Sequence, residues 1–203
     1  MPIISFEGID RSGKTTQVRL LAETLKLEGH SILLKKFPDY STPSGQLILK
    51  YLNHELNFST EELTLIFITD FARSAKEITE FAKTGIVLLD RYFMSTMAYQ
   101  GYLGINFMHI LQIIKNLKLP IPDLTFFFKL PLDELKNRFR DKLDRHETDF
   151  DLIQGVAHKY QQLYNALPVQ RVQTVFVEVD ASNPIEVITD RLLASIKKDV
   201  DLA

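Results

Sequence analysis

Five short apolar runs recur along the chain: IISFE (3–7), SILLKKF (31–37), GIVLLD (85–90), DLTFFFKL (123–130) and TVFVEVD (174–180). Each is rich in β-branched or aromatic residues. Their apolar positions run on without alternation, the pattern of strands covered on both faces of a parallel sheet. Between the runs the period becomes helical. In KTTQVRLLAETLKLEG, Val18, Leu21 and Leu25 recur on one face, and Gly29 ends the segment. STEELTLIFITDFARSAKEITEFAKTG opens with Ser59 or Thr60 as N-cap and Glu62 at capping-box spacing, and closes at Gly85. Strand and helix alternate throughout, which predicts an α/β fold: a parallel sheet with right-handed crossovers and helices on both faces. LKLPIPDL, with two prolines, reads as a stiff helix-to-strand connection. No internal repeat, low-complexity tract or long linker interrupts the pattern, so residues 1–203 read as a single domain.

Composition narrows the partners. The 203 residues are 45% hydrophobic and 25% charged, as in ordinary soluble domains. With 24 basic against 26 acidic residues, a net charge of −2 offers no general attraction to nucleic acid or to an anionic membrane. Phosphate chemistry here must therefore use local charge. The absence of cysteine excludes disulfides and thiolate–metal sites, and it is compatible with a reducing cytoplasm. MPIISFEG has no basic leader followed by an apolar core, and GIVLL and LTFFF are far shorter than the roughly 20 residues that cross a bilayer. A soluble cytoplasmic protein is expected.

The candidate chemistry begins at the end of the first strand. Gly8-(4)-Gly13-Lys14-Thr15 has the spacing of a phosphate loop and lies between a predicted strand and a predicted helix. Its glycines let backbone N–H groups curl round phosphate oxygens, and the helix N-terminus adds partial positive charge. Lys14 would reach the β- and γ-phosphates of a triphosphate; the Thr15 hydroxyl would ligate Mg²⁺. Ser12 and Thr16 flank these two groups. The loop also carries an acid and a base, Asp10 and Arg11, which a plain phosphate cradle does not need. A second pair, Asp90–Arg91, ends the third strand. Ligands of open parallel sheets bind outside the carboxyl ends of the strands, so this pair could reach the same crevice. There Asp90 would serve a metal and Arg91 would grip a phosphate bidentately; the alternative is a strand-end ion pair at the surface.

Taken in order, EGIDRSGKTTQ, FPDYSTPSG, DRYFMSTMAYQG, PDLTFFFKL and DRHE resemble the thymidylate kinase family from about residue 3 to residue 186. The resemblance implies a three-layer P-loop NTPase fold with a five-stranded parallel sheet and a short lid at about 138–149. It also implies γ-phosphoryl transfer from ATP to dTMP, giving dTDP and ADP in dTTP biosynthesis, with Mg²⁺ and a homodimeric assembly. A related P-loop kinase acting on another nucleoside or deoxynucleoside monophosphate, or on a deoxynucleoside, is the alternative.

By the same resemblance, Asp10 would touch the 3′-hydroxyl of the acceptor and Arg11 the phosphates in transfer. Arg91 would hold the acceptor phosphate, and Asp90 the metal site. Phe37 and Pro38 match an FP motif beside the acceptor. Thr96 and Gln100 would hydrogen-bond the base, and Tyr99 would lie under the deoxyribose. In the lid, Arg138 would stack on adenine and Arg145 would approach the triphosphate; DASNP (180–184) would border the adenine.

Three places depart from the family's pattern. Tyr40 stands where an arginine often follows the FP pair. The family pairs a phenylalanine with an arginine four residues on, to stack on thymine and bond its O4; here Phe67 is followed by Phe71, with Arg73 two residues further. Either Arg73 takes the role in a shifted register, or stacking and Gln100 hold the base. Finally, the catalytic arginine usually sits in the loop or in the lid, and this chain has Arg11 as well as Arg138, Arg140, Lys142 and Arg145. The apolar helical stretch LTLIFITDF could face a second subunit or the core.

Overall fold

A computed structural model describes residues 1–131, 133–134, 150–168, 172 and 174–199. The five apolar runs form strands β1 (Ile3–Gly8), β2 (Ile32–Lys36), β3 (Ile86–Asp90), β4 (Leu124–Lys129) and β5 (Val175–Asp180). All four pairings are parallel, in the order β2-β3-β1-β4-β5. The helices are α1 (Lys14–Leu27), α2 (Pro43–Leu52), α3 (Thr60–Phe81), α4 (Phe93–Tyr102), α5 (Phe107–Asn116), α6 (Phe150–Ala166) and α7 (Ile185–Asp199).

This order places β1 at the centre, with β3 on one side and β4 on the other. The connection from β1 runs to one side, toward β2, and that from the adjacent β4 to the other, toward β5, which opens a crevice outside the carboxyl ends of these strands. Both acid–base pairs fall there, since Phe6 is in register with Asp90. β1 and β3 are buried at every position, as the unbroken apolar runs predict. β2 and β5 are not: Leu34 is 40% exposed and Val175 43%. They are the edge strands, with one neighbour each and less helix cover, so the two-sided burial expected of all five runs holds only for the inner strands.

α3 starts as expected. Ser59 accepts the Glu62 N–H at 3.1 Å, and the Glu62 carboxylate accepts the Ser59 N–H at 2.8 Å. It ends at Phe81 rather than Gly85. The Gly85 N–H donates to Phe81 O at 2.9 Å and the next N–H, of Ile86, crosses to Ser31 O, so Gly85 already belongs to the lead into β3. Within LTLIFITDF, Leu63, Ile68 and Phe71 are buried, while Leu65 is 53% exposed. Leu63 joins Ile48, Tyr51 and Leu52 in a small second core between α2 and α3. Burial of that apolar cluster holds the two helices together and sets the outer wall of the crevice.

Candidate active site

Residues 8–15 connect β1 to α1, so the phosphate loop opens directly onto the crevice. Gly8 has φ 145°, and a Cβ there would lie 2.6 Å from the Phe128 carbonyl oxygen of the neighbouring strand β4. Only glycine lets the loop leave the sheet so close to that backbone. Gly13, at φ 90°, is the N-cap of α1, with no side-chain cap on the helix N–H groups. Ser12 and Lys14 are buried, Arg11 and Thr15 half-buried, and Thr16 exposed. The Lys14 ammonium donates to Ile9 O and, at 3.1 Å, to Ser12 Oγ. Burial, and then the Arg91 charge, push its pKa down to about 7. The Thr15 hydroxyl donates to Asp90 Oδ2 at 2.7 Å.

Arg11 and Arg91 both take left-handed backbone, at φ 59° and 67°. Non-glycine residues in that region cluster at functional sites, because the local cost must be supported by surrounding contacts. For Arg91 those contacts are explicit. Its Nη1 donates to Gly8 O at 2.8 Å, Ser95 Oγ at 3.2 Å and Tyr160 OH at 3.5 Å. Its Nη2 pairs with Asp10 Oδ1, and its guanidinium lies 5.7 Å from the Tyr99 ring centroid. The Tyr99 hydroxyl donates to Asp10 Oδ2 at 2.6 Å. Burial alone would raise the Asp10 pKa. The charges of Arg91 and Lys14, with the Tyr99 hydrogen bond, more than offset this and hold the carboxyl well below the usual carboxylate range. Burial pulls the Arg91 value down, but Asp10 together with Tyr99, Tyr160 and Asp90 more than offsets this and holds it above its ordinary range.

Next to this pair lies a pocket. Asp10, Arg91 and Ser95 form one end. The walls are Phe37, Pro38 and Tyr40 from the β2–α2 loop, Phe67 and Phe71 from α3, and Tyr92, Thr96 and Tyr99 around α4, with Leu52 of α2 closing it. The Phe37–Pro38 peptide is cis. Phe71 packs edge-on against Phe37, ring centroids 5.1 Å apart, and lies 5.0 Å from Tyr92. Charge is thus confined to one end of the pocket and π-surface to the rest. Such a cavity fits a ligand with a phosphate at one end and a flat ring at the other.

The structure therefore gathers Asp10, Phe37, Pro38, Tyr40, Phe67, Phe71, Arg91, Thr96 and Tyr99 around one space. Two sequence candidates stand apart from this lining. Arg73 is exposed on α3. Gln100 is fully buried behind the lining, and both its amide atoms lack a hydrogen-bond partner. The lid residues Arg138, Arg140, Lys142 and Arg145 lie outside the described residues. The DASNP turn follows β5 and leads into α7, whose first residue is tied to the phosphate-loop helix: the buried Gln17 amide donates to Ile185 O at 2.9 Å.

Besides Ser95 and Tyr92 of the pocket lining, three further polar groups escaped the sequence reading. Glu7 is 1% exposed on β1 and accepts from Ser95 Oγ at 2.6 Å, while its Oε1 has no partner. Tyr160, from α6, donates to Ser95 Oγ at 2.7 Å and so joins Glu7 to the Arg91 cluster. Asp70 is 0% exposed in the middle of α3. For Glu7 and Asp70 the available signal was a carboxylate inside an otherwise apolar run; for Tyr160 there was none.

The site thus defines a class: a P-loop phosphotransferase whose phosphate cradle opens, across an Asp–Arg pair, onto a second pocket walled by aromatic rings. The comparisons agree. The family model for thymidylate kinase matches residues 6–192. A probable thymidylate kinase of Pyrococcus horikoshii is 35% identical, with 97% of this chain and 96% of that protein covered. The thymidylate kinase of Plasmodium falciparum is 30% identical, covering 96% and 89%. A solved thymidylate kinase structure from Candida albicans superimposes with a TM-score of 0.78 at 29% identity, covering 97% of this chain and 91% of that one. The chain belongs to the thymidylate kinase family.

Proposed function

We propose that this chain, as a single kinase domain over 1–203, transfers the γ-phosphoryl group of ATP to dTMP, giving dTDP and ADP, in dTTP biosynthesis. The observation that carries this assignment is the position of Asp10 and Arg91 at the junction between phosphate loop and aromatic pocket. Gly8, Ser12, Gly13, Lys14, Thr15 and Thr16 belong to the donor side, where backbone N–H groups and the Lys14 ammonium neutralise the phosphates. Arg91 binds the acceptor phosphate. Asp10 keeps unused lone pairs beyond its two present donors and accepts the 3′-hydroxyl of the acceptor sugar. Arg11, on the same loop, faces the group in transfer.

Phe67 and Phe71 hold the base by stacking, Tyr99 bounds the sugar, and Phe37, Pro38 and Tyr40 close over them. Thr96 reads the base, and Gln100, whose amide is unpartnered, reaches it after a side-chain rotation. Arg73 stands outside the pocket lining, exposed on α3. Arg138 and Arg145 act from the lid on ATP.

The Thr15 hydroxyl beside the Asp90 carboxylate suits Mg²⁺, a hard cation that prefers oxygen ligands, water and substrate phosphates. Among the described residues no group of three or more His, Cys, Asp or Glu could hold a metal alone, in keeping with an ion bound largely through phosphate. Bound there, Mg²⁺ supplies charge neutralisation between the transferring phosphates. We further infer a homodimer, supported by Leu65 standing exposed in an otherwise apolar stretch of α3. A cytoplasmic setting is inferred with it; among the described residues no helix is long and apolar enough to cross a membrane.

Turnover of dTMP, dUMP, dCMP and thymidine with ATP and Mg²⁺ tests the assignment. We expect dTMP to give the highest kcat/KM. Preference for thymidine, which lacks the phosphate, would remove Arg91 from its role and favour a nucleoside kinase.

A further inference from the structure

The pocket's two facing walls belong to different parts of the chain. Phe37, Pro38 and Tyr40 come from the loop after β2, and Phe67 and Phe71 from α3. The loop is joined to the sheet at its start, where the Phe37 N–H donates to Asp90 O at 3.0 Å. Beyond Pro38 it is hydrogen-bonded to α3 through Asp70, which lies on that helix between the two wall phenylalanines. Asp70 Oδ2 accepts the Asp39 N–H at 2.8 Å. Its Oδ1 accepts the Thr42 hydroxyl at 2.7 Å and the Ser44 hydroxyl at 2.9 Å. Asp70 is 0% exposed, and Ser44 is buried as well.

Three donors converging on two oxygens need a group that only accepts. A carboxylate meets that need, and its charge shortens and strengthens each bond. An amide at this position would turn a donor toward one of the donors. The rest of the loop is built around the same point. Thr42, bound to Asp70, is also the N-cap of α2 and accepts the Gly45 N–H at 3.0 Å. Gly45 lies so close to the loop that a Cβ there would come 1.8 Å from Asp39 O. The loop thus folds back on itself, and Asp70 fixes the folded loop to the opposite wall.

We propose that Asp70 is a positioning residue for the acceptor site, a clamp that sets the separation between Phe37–Pro38–Tyr40 and Phe67–Phe71. It rests on the acceptor pocket assigned above, and it acts without touching the nucleotide. Loss of the clamp lets the loop wall drift, so acceptor binding weakens while the donor side, on α1, is unaffected.

The test uses the full chain with Asp70→Ala and Asp70→Asn, read by steady-state kinetics and by amide hydrogen exchange without ligand. For Asp70→Ala we expect the KM for dTMP to rise about tenfold or more, kcat at saturation to change less than about threefold, and the KM for ATP to stay constant. Amides 39–42, 44 and 45 should lose protection while those of β1, β3 and β4 keep it. Asp70→Asn retains one acceptor oxygen for Thr42 and Ser44 and should fall between wild type and Asp70→Ala on both measures. Ser44→Ala, the mildest change, should raise the dTMP KM less than either.

An unchanged dTMP KM in Asp70→Ala overturns the clamp. So does a parallel loss of kcat, ATP affinity and sheet protection, which marks a purely structural role; if Asp70→Ala does not fold, the same criteria apply to Asp70→Asn. If wild type does not phosphorylate dTMP, the acceptor assignment fails instead. Exchange of amides 39–42, 44 and 45 still decides whether Asp70 holds the loop.

Discussion

Glu7→Gln changes one buried group and leaves its shape almost intact. In the folded chain the Glu7 carboxyl is raised from 4.5 to about 7 by burial; Ser95, Arg91 and Lys14 oppose the rise without cancelling it. A carboxyl whose folded pKa lies above its unfolded value contributes stability that is fully present below the unfolded pKa. That contribution is lost as pH rises through the folded one. The window here is 4.5 to about 7. A tenfold change in proton affinity between the folded and unfolded chain corresponds to about 1.4 kcal/mol, so wild type should lose about 3 kcal/mol from this group across the window. Glutamine does not titrate, and any cost of its own amide is independent of pH. Urea unfolding of wild type and Glu7→Gln at steps from pH 4.5 to 7.5 gives the difference directly, and groups remote from Glu7 largely cancel. Lys14 loses the Glu7 charge in the variant and so releases its proton more readily, which moves the difference in the same direction. Stability of the variant relative to wild type should rise by about 3 kcal/mol over that range. A difference that stays flat with pH would mean that Glu7 ionises in the fold as it does in the unfolded chain, and would refute the reasoning.

Arg11→Gly keeps the left-handed backbone and removes the guanidinium; kcat should fall by ~10³ or more while the KM for dTMP changes little. Unchanged kcat in that variant assigns the catalytic arginine to residues 138–145. Gly8→Ala should cost more than about 2 kcal/mol in chemical unfolding, because the new Cβ meets backbone rather than a movable side chain; a cost under about 0.5 kcal/mol would show that β4 yields there. Ser59→Ala breaks the capping box of α3, outside the pocket lining, and should cost about 1 kcal/mol with kinetics unchanged.

What was legible in the sequence was what depends on near neighbours. The five strands could be read because each is a short β-rich apolar run, unbroken in β1, β3 and β4 because they are buried on two faces, and the start of α3 because a capping box is local chemistry. Gly8, Gly13, Lys14 and Thr15 could be read because the loop's function fixes their spacing. The family resemblance added the second pocket, and nine of its eleven candidates line one space.

Only the tertiary structure decided the rest. Which strands lie at the sheet edge follows from the order of crossovers, so the exposure of Leu34 and Val175 could not be read from their own segments. Phe71 and Arg73 differ because one points into the ring cluster of Phe37 and Tyr92 and the other to solvent, a matter of how α3 is rotated against the sheet. The Arg91–Ser95–Glu7–Tyr160 and Asp70–Thr42–Ser44 networks join residues from separate elements. The chain alone fixed which residues bear charge. Folding fixed which of those charges lose water and find partners, because burial and proximity exist only once distant segments are packed together.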